Sequence, residues 1–87
     1  MKKKTVPIYR EIKKIVLEVL DVPEEKISID TQFGPDLDAD SLNVVEILLR
    51  LEDKYDIEIP DDMAQNIKTV KQLVYYIEQR LNEKQND

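Results

Sequence analysis

Ser41 closes the run Asp36-Leu37-Asp38-Ala39-Asp40-Ser41-Leu42, just ahead of a stretch with helical periodicity. A serine in that position has two chemical uses. Either it or Asp40 caps the helix, an oxygen accepting an N–H of the first turn. Alternatively its hydroxyl carries a phosphate ester. The first N–H groups of a helix lack internal acceptors and hold partial positive charge, so a phosphate tethered at that tip is stabilised. The seven residues alone favour the cap. The three alternating aspartates also imitate the opening of a calcium loop. That loop needs Gly at its sixth position and a bidentate Glu at its twelfth. Here those positions hold Ser41 and Ile47, and no metal site is expected.

The rest of the composition narrows the chemistry. The 87 residues include no Cys and no His. Disulfides, thiolate nucleophiles and zinc-thiolate sites are therefore excluded, as are Ser-His-Asp catalysis and a base that titrates unperturbed near neutrality. A chain this short forms one modest core and leaves little room for a walled active site. No apolar run approaches the roughly 20 residues that span a bilayer. Met1 to Arg10 lacks the apolar stretch of a secretory signal, so a cytoplasmic location is expected.

The net charge of −6 is unevenly spread. Lys2, Lys3, Lys4, Arg10, Lys13 and Lys14 face only Glu11 in the first fourteen residues. Ten carboxylates from Asp36 to Asp62 face only Arg50 and Lys54. The acidic middle should repel nucleic acid and attract basic protein surfaces. The lysine-rich start, on an otherwise acidic domain, reads as a solvated tail.

Three segments must form the scaffold around Ser41. Ile8, Ile12, Ile15 and Val19 repeat at helical spacing, with Thr5 as a cap and Pro7 in the first turn. Val44, Ile47, Leu48, Leu51 and Tyr55 form a second stripe over about 41–55, stopped before Pro60. Val70, Leu73, Val74, Ile77 and Leu81 form a third, opened by the capping box of Thr69 and Gln72. A short helical turn is expected within 61–66. The segment 22–39 is irregular and should be anchored by Ile27, Ile29, Phe33 and Leu37. Alternation at Ile27 and Ile29 permits a brief strand with no evident partner, and the segment is read as loop. The expected fold is all-α: a small bundle of three main helices plus one short helix, with a long loop between the first two main helices. A single domain over 1–87 is expected, with a basic tail over 1–5 and fraying over 82–87.

The wider pattern changes the weight given to Ser41. Asp36-Leu37-x-Ala39-Asp40-Ser41-Leu42, then Val45-Glu46, Leu51-Glu52, Tyr55-x-Ile57-x-Ile59-Pro60 and Thr69-Val70 together resemble the acyl carrier proteins of fatty-acid and polyketide synthesis, over about 8–81 without gaps. The resemblance implies a non-catalytic carrier with 4′-phosphopantetheine on Ser41, flanked by Asp40 and Leu42. A phosphopantetheinyl transferase would deliver the group from coenzyme A, and its thiol would hold acyl intermediates as thioesters. The composition agrees: a chain without Cys must import a thiol, and one without His must have its serine activated by another enzyme.

The family docks its enzymes' basic patches on the second helix. Carried over, that makes Asp40, Leu42, Val45, Glu46, Leu49, Glu52 and Asp53 docking residues, with Asp61 and Asp62 secondary. Leu42, Val45 and Leu49 fall on a face separate from the core stripe. They form either an exposed apolar strip or a second buried side. By the same resemblance Phe33, Leu51, Ile59, Ala64, Ile67 and Tyr76 would line a pocket for the acyl chain. From the residues alone, these six are simply core. A monomer is expected, with acyl-handling enzymes as partners and no nucleic acid.

Two positions depart from the family pattern. Asp38 replaces the usual Gly before Ala39, where positive φ costs Asp more than Gly. Asn43, Arg50 and Lys54 weaken the negative field of the second helix. Two rivals remain: an aminoacyl carrier with the same arm, disfavoured by Ala39-Asp40 and Ile59-Pro60, and a carrier-like adaptor that takes no arm.

Overall fold

The computed structural model describes residues 5–85, in the order α1 (Thr5–Val19), a single 3₁₀ turn (Glu24–Lys26), α2 (Ser41–Tyr55), α3 (Asp61–Asn66) and α4 (Val70–Gln85). The tail expected over 1–5 and the cap assigned to Thr5 lie almost wholly outside the described residues and side chains. α4 continues as helix to Gln85.

The three apolar stripes meet in one core. Ile8, Ile12, Ile15, Val16 and Leu20 come from the α1 segment; Ile47, Leu48 and Leu51 from α2; Val70, Leu73, Val74 and Ile77 from α4. The α1 stripe is wider than its repeat suggested. Val16 is fully buried and Val19 only partly, because a helix packed against two others needs a face of more than one residue per turn. Leu20 closes the helix with a bond from its N–H to Val16 O (2.7 Å) and turns into the core. With few aromatics available, aliphatic burial at about 1.5–3 kcal/mol per large side chain carries the stability.

Cross-helix polar contacts fix the directions. Glu18 pairs with Arg50 (3.1 Å) and Glu11 with Lys54 (3.3 Å), so α1 and α2 are antiparallel. Lys84 Nζ donates to Asp56 O (2.6 Å), placing the C-terminal ends of α2 and α4 together. The connection through α3 therefore carries the chain back along the bundle to the end where Ser41 lies.

The long loop is pinned there. Thr31, a buried polar residue, donates from Oγ1 to Lys26 O (2.9 Å) and accepts from Ser28 N (2.7 Å). Phe33 N donates to Lys68 O (3.0 Å), while Val70 N and Lys71 N donate back to Thr31 O (3.0 Å) and Ile29 O (2.9 Å). The extended pairing is one bridge, Gln32 with Thr69; it is not at Ile27 and Ile29, and its partner is the α3–α4 junction. Thr69 and Gln72 form their reciprocal capping bonds, both at 3.1 Å.

Among the described residues two non-glycine residues are left-handed, Asp38 and Asp56, each at φ 55°. Asp56 is the C-cap of α2, and its N–H reaches back to Glu52 O. Asp38 occupies the position where the family usually has Gly, and its φ shows why. Asp38→Gly should match or exceed wild-type stability in urea unfolding. Asp38→Val, which a β-branched side chain makes a severe outlier, should cost about 1–2 kcal/mol. Equal midpoints for the Gly and Val variants would contradict this geometry.

Tyr55 is half-buried against the core, and burial, reinforced by the nearby Glu11 carboxylate, raises its hydroxyl above the usual tyrosine value of 10.0. The folded state thus holds this proton more tightly than the unfolded chain. Its contribution is intact below about pH 10 and is lost as pH rises through the elevated value. Tyr55→Phe should therefore flatten the fall in stability above pH 10, measured by urea titrations at stepped pH; an unchanged alkaline slope would count against it.

Candidate functional site

α2 starts at Asp40, whose backbone is extended (φ −85°, ψ 178°). Asp40 Oδ1 accepts from Asn43 N (2.9 Å), and Asn43 Oδ1 accepts from Asp40 N (3.3 Å). The capping box is therefore built by Asp40 and Asn43. Ser41 follows it as the first helical residue, exposed, with no hydrogen bond to its hydroxyl from the described residues. Asn43, a departure noted in the sequence, thus serves the cap.

The first turn leaves two donors open. Asn43 N goes to Asp40 Oδ1 and Val44 N to Asp40 O (3.1 Å). The N–H groups of Ser41 and Leu42 have no acceptor within the helix, and none is supplied by the described residues. A phosphate on Ser41 Oγ would sit beside these donors at the positive end of the helix, opposed by the adjacent Asp40 carboxylate. The residues present fit a phosphate-linked group there.

Beside Ser41 runs an open groove of about 780 Å³ between the loop, α2 and α3. Its walls include Phe33, Ala39, Val44, Leu48, Ala64 and Ile67, with Gln65, Asn66 and Lys68 on the α3 side. Of the six residues carried over for an acyl pocket, Phe33, Ala64 and Ile67 line this groove. Leu51 and Ile59 are instead buried within the packed core, and Tyr76 is half-buried with its hydroxyl donating to Glu58 O (2.9 Å). The long loop is pinned by Thr31, whose role has no signal in the sequence, because a lone Thr in a polar stretch carries no periodicity.

The second face of α2 is exposed. Leu42 is 77% accessible, Leu49 57% and Val45 49%, which rules out a helix buried on both sides. Met63 on α3, 37% accessible, was not foreseen and joins the exposed apolar residues; its neighbours Asp61 and Asp62 are also exposed. The carboxylates around the strip differ in availability. Glu46 is held by Arg50 (2.9 Å), and Glu52 accepts the N–H of Ile59, fixing the turn before Pro60. Asp53 is exposed and without a charged partner among the described residues. No helix among the described residues is long and apolar enough to cross a membrane.

A helical bundle whose chemical handle is a serine at an open helix tip, with a groove beside it and an apolar strip next to it, defines a prosthetic-group carrier domain. Residues 10–77 match the family model described as "Phosphopantetheine attachment site". The chain is 48% identical over 71 residues to the acyl carrier protein of Wolinella succinogenes, covering 82% of this chain and 93% of that one. It is 45% identical over 71 residues to the acyl carrier protein of Sulfurovum sp., covering 82% and 95%. The solved structure of the acyl carrier protein from Enterococcus faecalis superposes with a TM-score of 0.74 at 32% identity, covering 87% of this chain and 96% of that one. The chain belongs to the acyl carrier protein family, and its prosthetic group is 4′-phosphopantetheine. As a carrier it works with enzymes that handle acyl groups.

Proposed function

We propose that Ser41 is the attachment point of the phosphopantetheine arm, and that the loaded arm presents acyl thioesters to enzymes of fatty-acid or related polyketide synthesis. The observation that carries this reading is the division of labour at the start of α2. Asp40 and Asn43 satisfy the cap, which leaves the Ser41 hydroxyl exposed and two N–H donors open beside it. In loading, Ser41 Oγ gives up its proton and forms the new bond to phosphorus while the nucleotide half of coenzyme A departs. The base comes from the phosphopantetheinyl transferase, because this chain has no His. Once bound, the arm supplies the thiol that the chain lacks. The chain's own residues position and shield: the tip of α2 holds the phosphate, and the groove walls of Phe33, Ala64 and Ile67 offer apolar cover to what the arm carries.

Incubation with a phosphopantetheinyl transferase, Mg²⁺ and coenzyme A should add the mass of one phosphopantetheinyl group to the wild type and none to Ser41→Ala. An addition that survives Ser41→Ala defeats the assignment, and no addition to the wild type favours the adaptor reading.

The docking surface is proposed to be the strip of Leu42, Val45, Leu49 and Met63, rimmed by Asp40, Asp53, Asp61 and Asp62. Charge steers the encounter and the apolar residues set the register. Glu46 contributes less as a free charge, since Arg50 pairs with it, whereas Glu52 keeps its charge and is held in place by the N–H of Ile59. Asp53→Lys with Asp61→Lys should slow association with a basic-faced partner enzyme by roughly tenfold or more at low salt, with little change at high salt, as surface steering is screened. Stopped-flow association rates read this directly. A double variant as fast as wild type at low salt defeats the steering role.

A further inference from the structure

The apolar strip on α2 has two unlike edges. A helix turns about 100° per residue, which puts Leu42, Leu49 and Asp53 on one line, opposite the buried Ile47, Leu48 and Leu51. To one side of that line lie Ser41, Val45 and Glu52. Ser41 and Val45 border the groove shared with α3, and Glu52 accepts from Ile59 N in the link to α3. To the other side lie Glu46, Arg50 and Lys54, and the last two reach across to α1.

The charges follow this division. The α3 edge has Glu52, Asp61 and Asp62, and α3 itself carries no cation. On the α1 edge acids and bases balance: Glu11, Glu18 and Glu46 against Lys14, Arg50 and Lys54. Lys14 is exposed and lies one turn from both Glu11 and Glu18. Lys68 after α3 and Asp21 after α1 soften the contrast towards the Ser41 end. It is therefore sharpest in the second half of α2, where Arg50 stands. One guanidinium there holds Glu18 through Nη1 (3.1 Å) and Glu46 through Nη2 (2.9 Å). A planar fork seated between two carboxylates is fixed in position, unlike a single-point ammonium. These pairs are solvent-exposed and add little to stability, so their effect lies in what the edge presents. A partner's lysine or arginine that approached Glu46 would meet a like charge and find the carboxylate already paired.

We infer that Arg50 is a specificity-determining residue of the docking surface: it closes the α1 edge of the strip to cations, so that this carrier selects partner enzymes whose basic residues line only the edge facing α3. The inference rests on the docking strip proposed above. A partner basic along both edges gains nothing here from its second row.

Two synthetic helical peptides test this. Both carry a leucine stripe with lysines along one edge; the other edge is lysine in the first peptide and glutamine in the second. Fluorescence anisotropy of the labelled peptides at low salt gives the affinity of the full-length protein for each. The wild type should bind the two with similar affinity. Arg50→Gln, which frees Glu46 and Glu18, should raise the preference for the two-edged peptide roughly fivefold, about what one exposed ion pair can contribute. Arg50→Lys keeps the charge and should keep the wild-type ratio, and Arg50→Gln with Glu46→Gln should move back towards it. Lys13→Gln is the matched control. Lys13 holds Glu24 (3.0 Å) about 200° round α1 from Glu11, on the side turned from α2, and freeing that carboxylate should leave the ratio unchanged. Circular dichroism checks that each variant is folded. A preference for the two-edged peptide that is equal in the wild type and Arg50→Gln overturns the inference, as does an equal rise in Lys13→Gln. Leu49→Ser separates this failure from that of the reading beneath it, and should weaken both peptides. If it weakens neither, or if neither peptide binds the wild type, the strip is not the docking surface and both readings fall.

Discussion

Two helix N-termini lie at the same end of this bundle, and the difference between them organises the molecule. Each leaves donors that must find acceptors or stay open. At α4 every donor is used. Val70 and Lys71 reach the carbonyls of Thr31 and Ile29 in the long loop, Gln72 N reaches Thr69 Oγ1, and Leu73 N reaches Thr69 O. At α2 the cap stops after Asn43 and Val44, leaving Ser41 and Leu42 open. The saturated terminus is structural: it ties down a connection that would otherwise expose unpaired backbone over some twenty residues. The open one is available to chemistry, and it is held in place because the loop running into it is fastened to its neighbour.

The same economy governs α2 along its length. Ile47, Leu48 and Leu51 are buried, while Leu42, Val45 and Leu49 stand in solvent. Exposed apolar residues on a small domain carry a cost in solubility that a partner relieves. The charges around them are not equivalent. An exposed ion pair contributes at most about 1 kcal/mol, so Arg50 and Lys54 add little to stability through Glu18 and Glu11. Their larger effect is on the field. Arg50 also holds Glu46, whereas Asp53, Asp61 and Asp62 stay exposed without a charged partner among the described residues.

Much of this was legible in the residues. The bounds of α2, the capping box of Thr69 and Gln72, the short α3 and the aliphatic stripes all follow from local rules of spacing and capping. The serine motif fixed attention on Ser41, and Asp38 marked a position with positive φ. What was not legible depends on contacts between segments distant in the chain. Thr31 is one polar residue in a polar loop until the fold surrounds it. Asp56 takes the left-handed cap of α2 with Lys84, 28 residues on, closing over its carbonyl. Which acid of α1 meets which base of α2 depends on antiparallel packing, and with it the identity of the cations left over. Leu51, Ile59 and Tyr76 were grouped with Phe33, Ala64 and Ile67 by resemblance; the backbone puts only the last three on the groove.

That separation bears on how a carrier of this size accommodates cargo. Leu51 has no accessible surface, and a close-packed core yields space only by moving a wall. The wall that resists least is α3, six residues long, with no buried residue of its own and anchored at its end by Ile67. It already forms one side of the groove beside Ser41. On the proposed reading, a methylene passing from water into apolar surroundings returns about 0.8 kcal/mol, so a few methylenes offset the displacement of so lightly held an element. Short or polar cargo gains too little to open it and remains in the groove. Longer cargo has reason to press inward past Ala64, where the small side chain leaves the least to displace. On that reading the three-helix core and the lightly anchored fourth helix are complementary requirements: one would keep Ser41 in place, and the other would let the molecule adjust to what it carries.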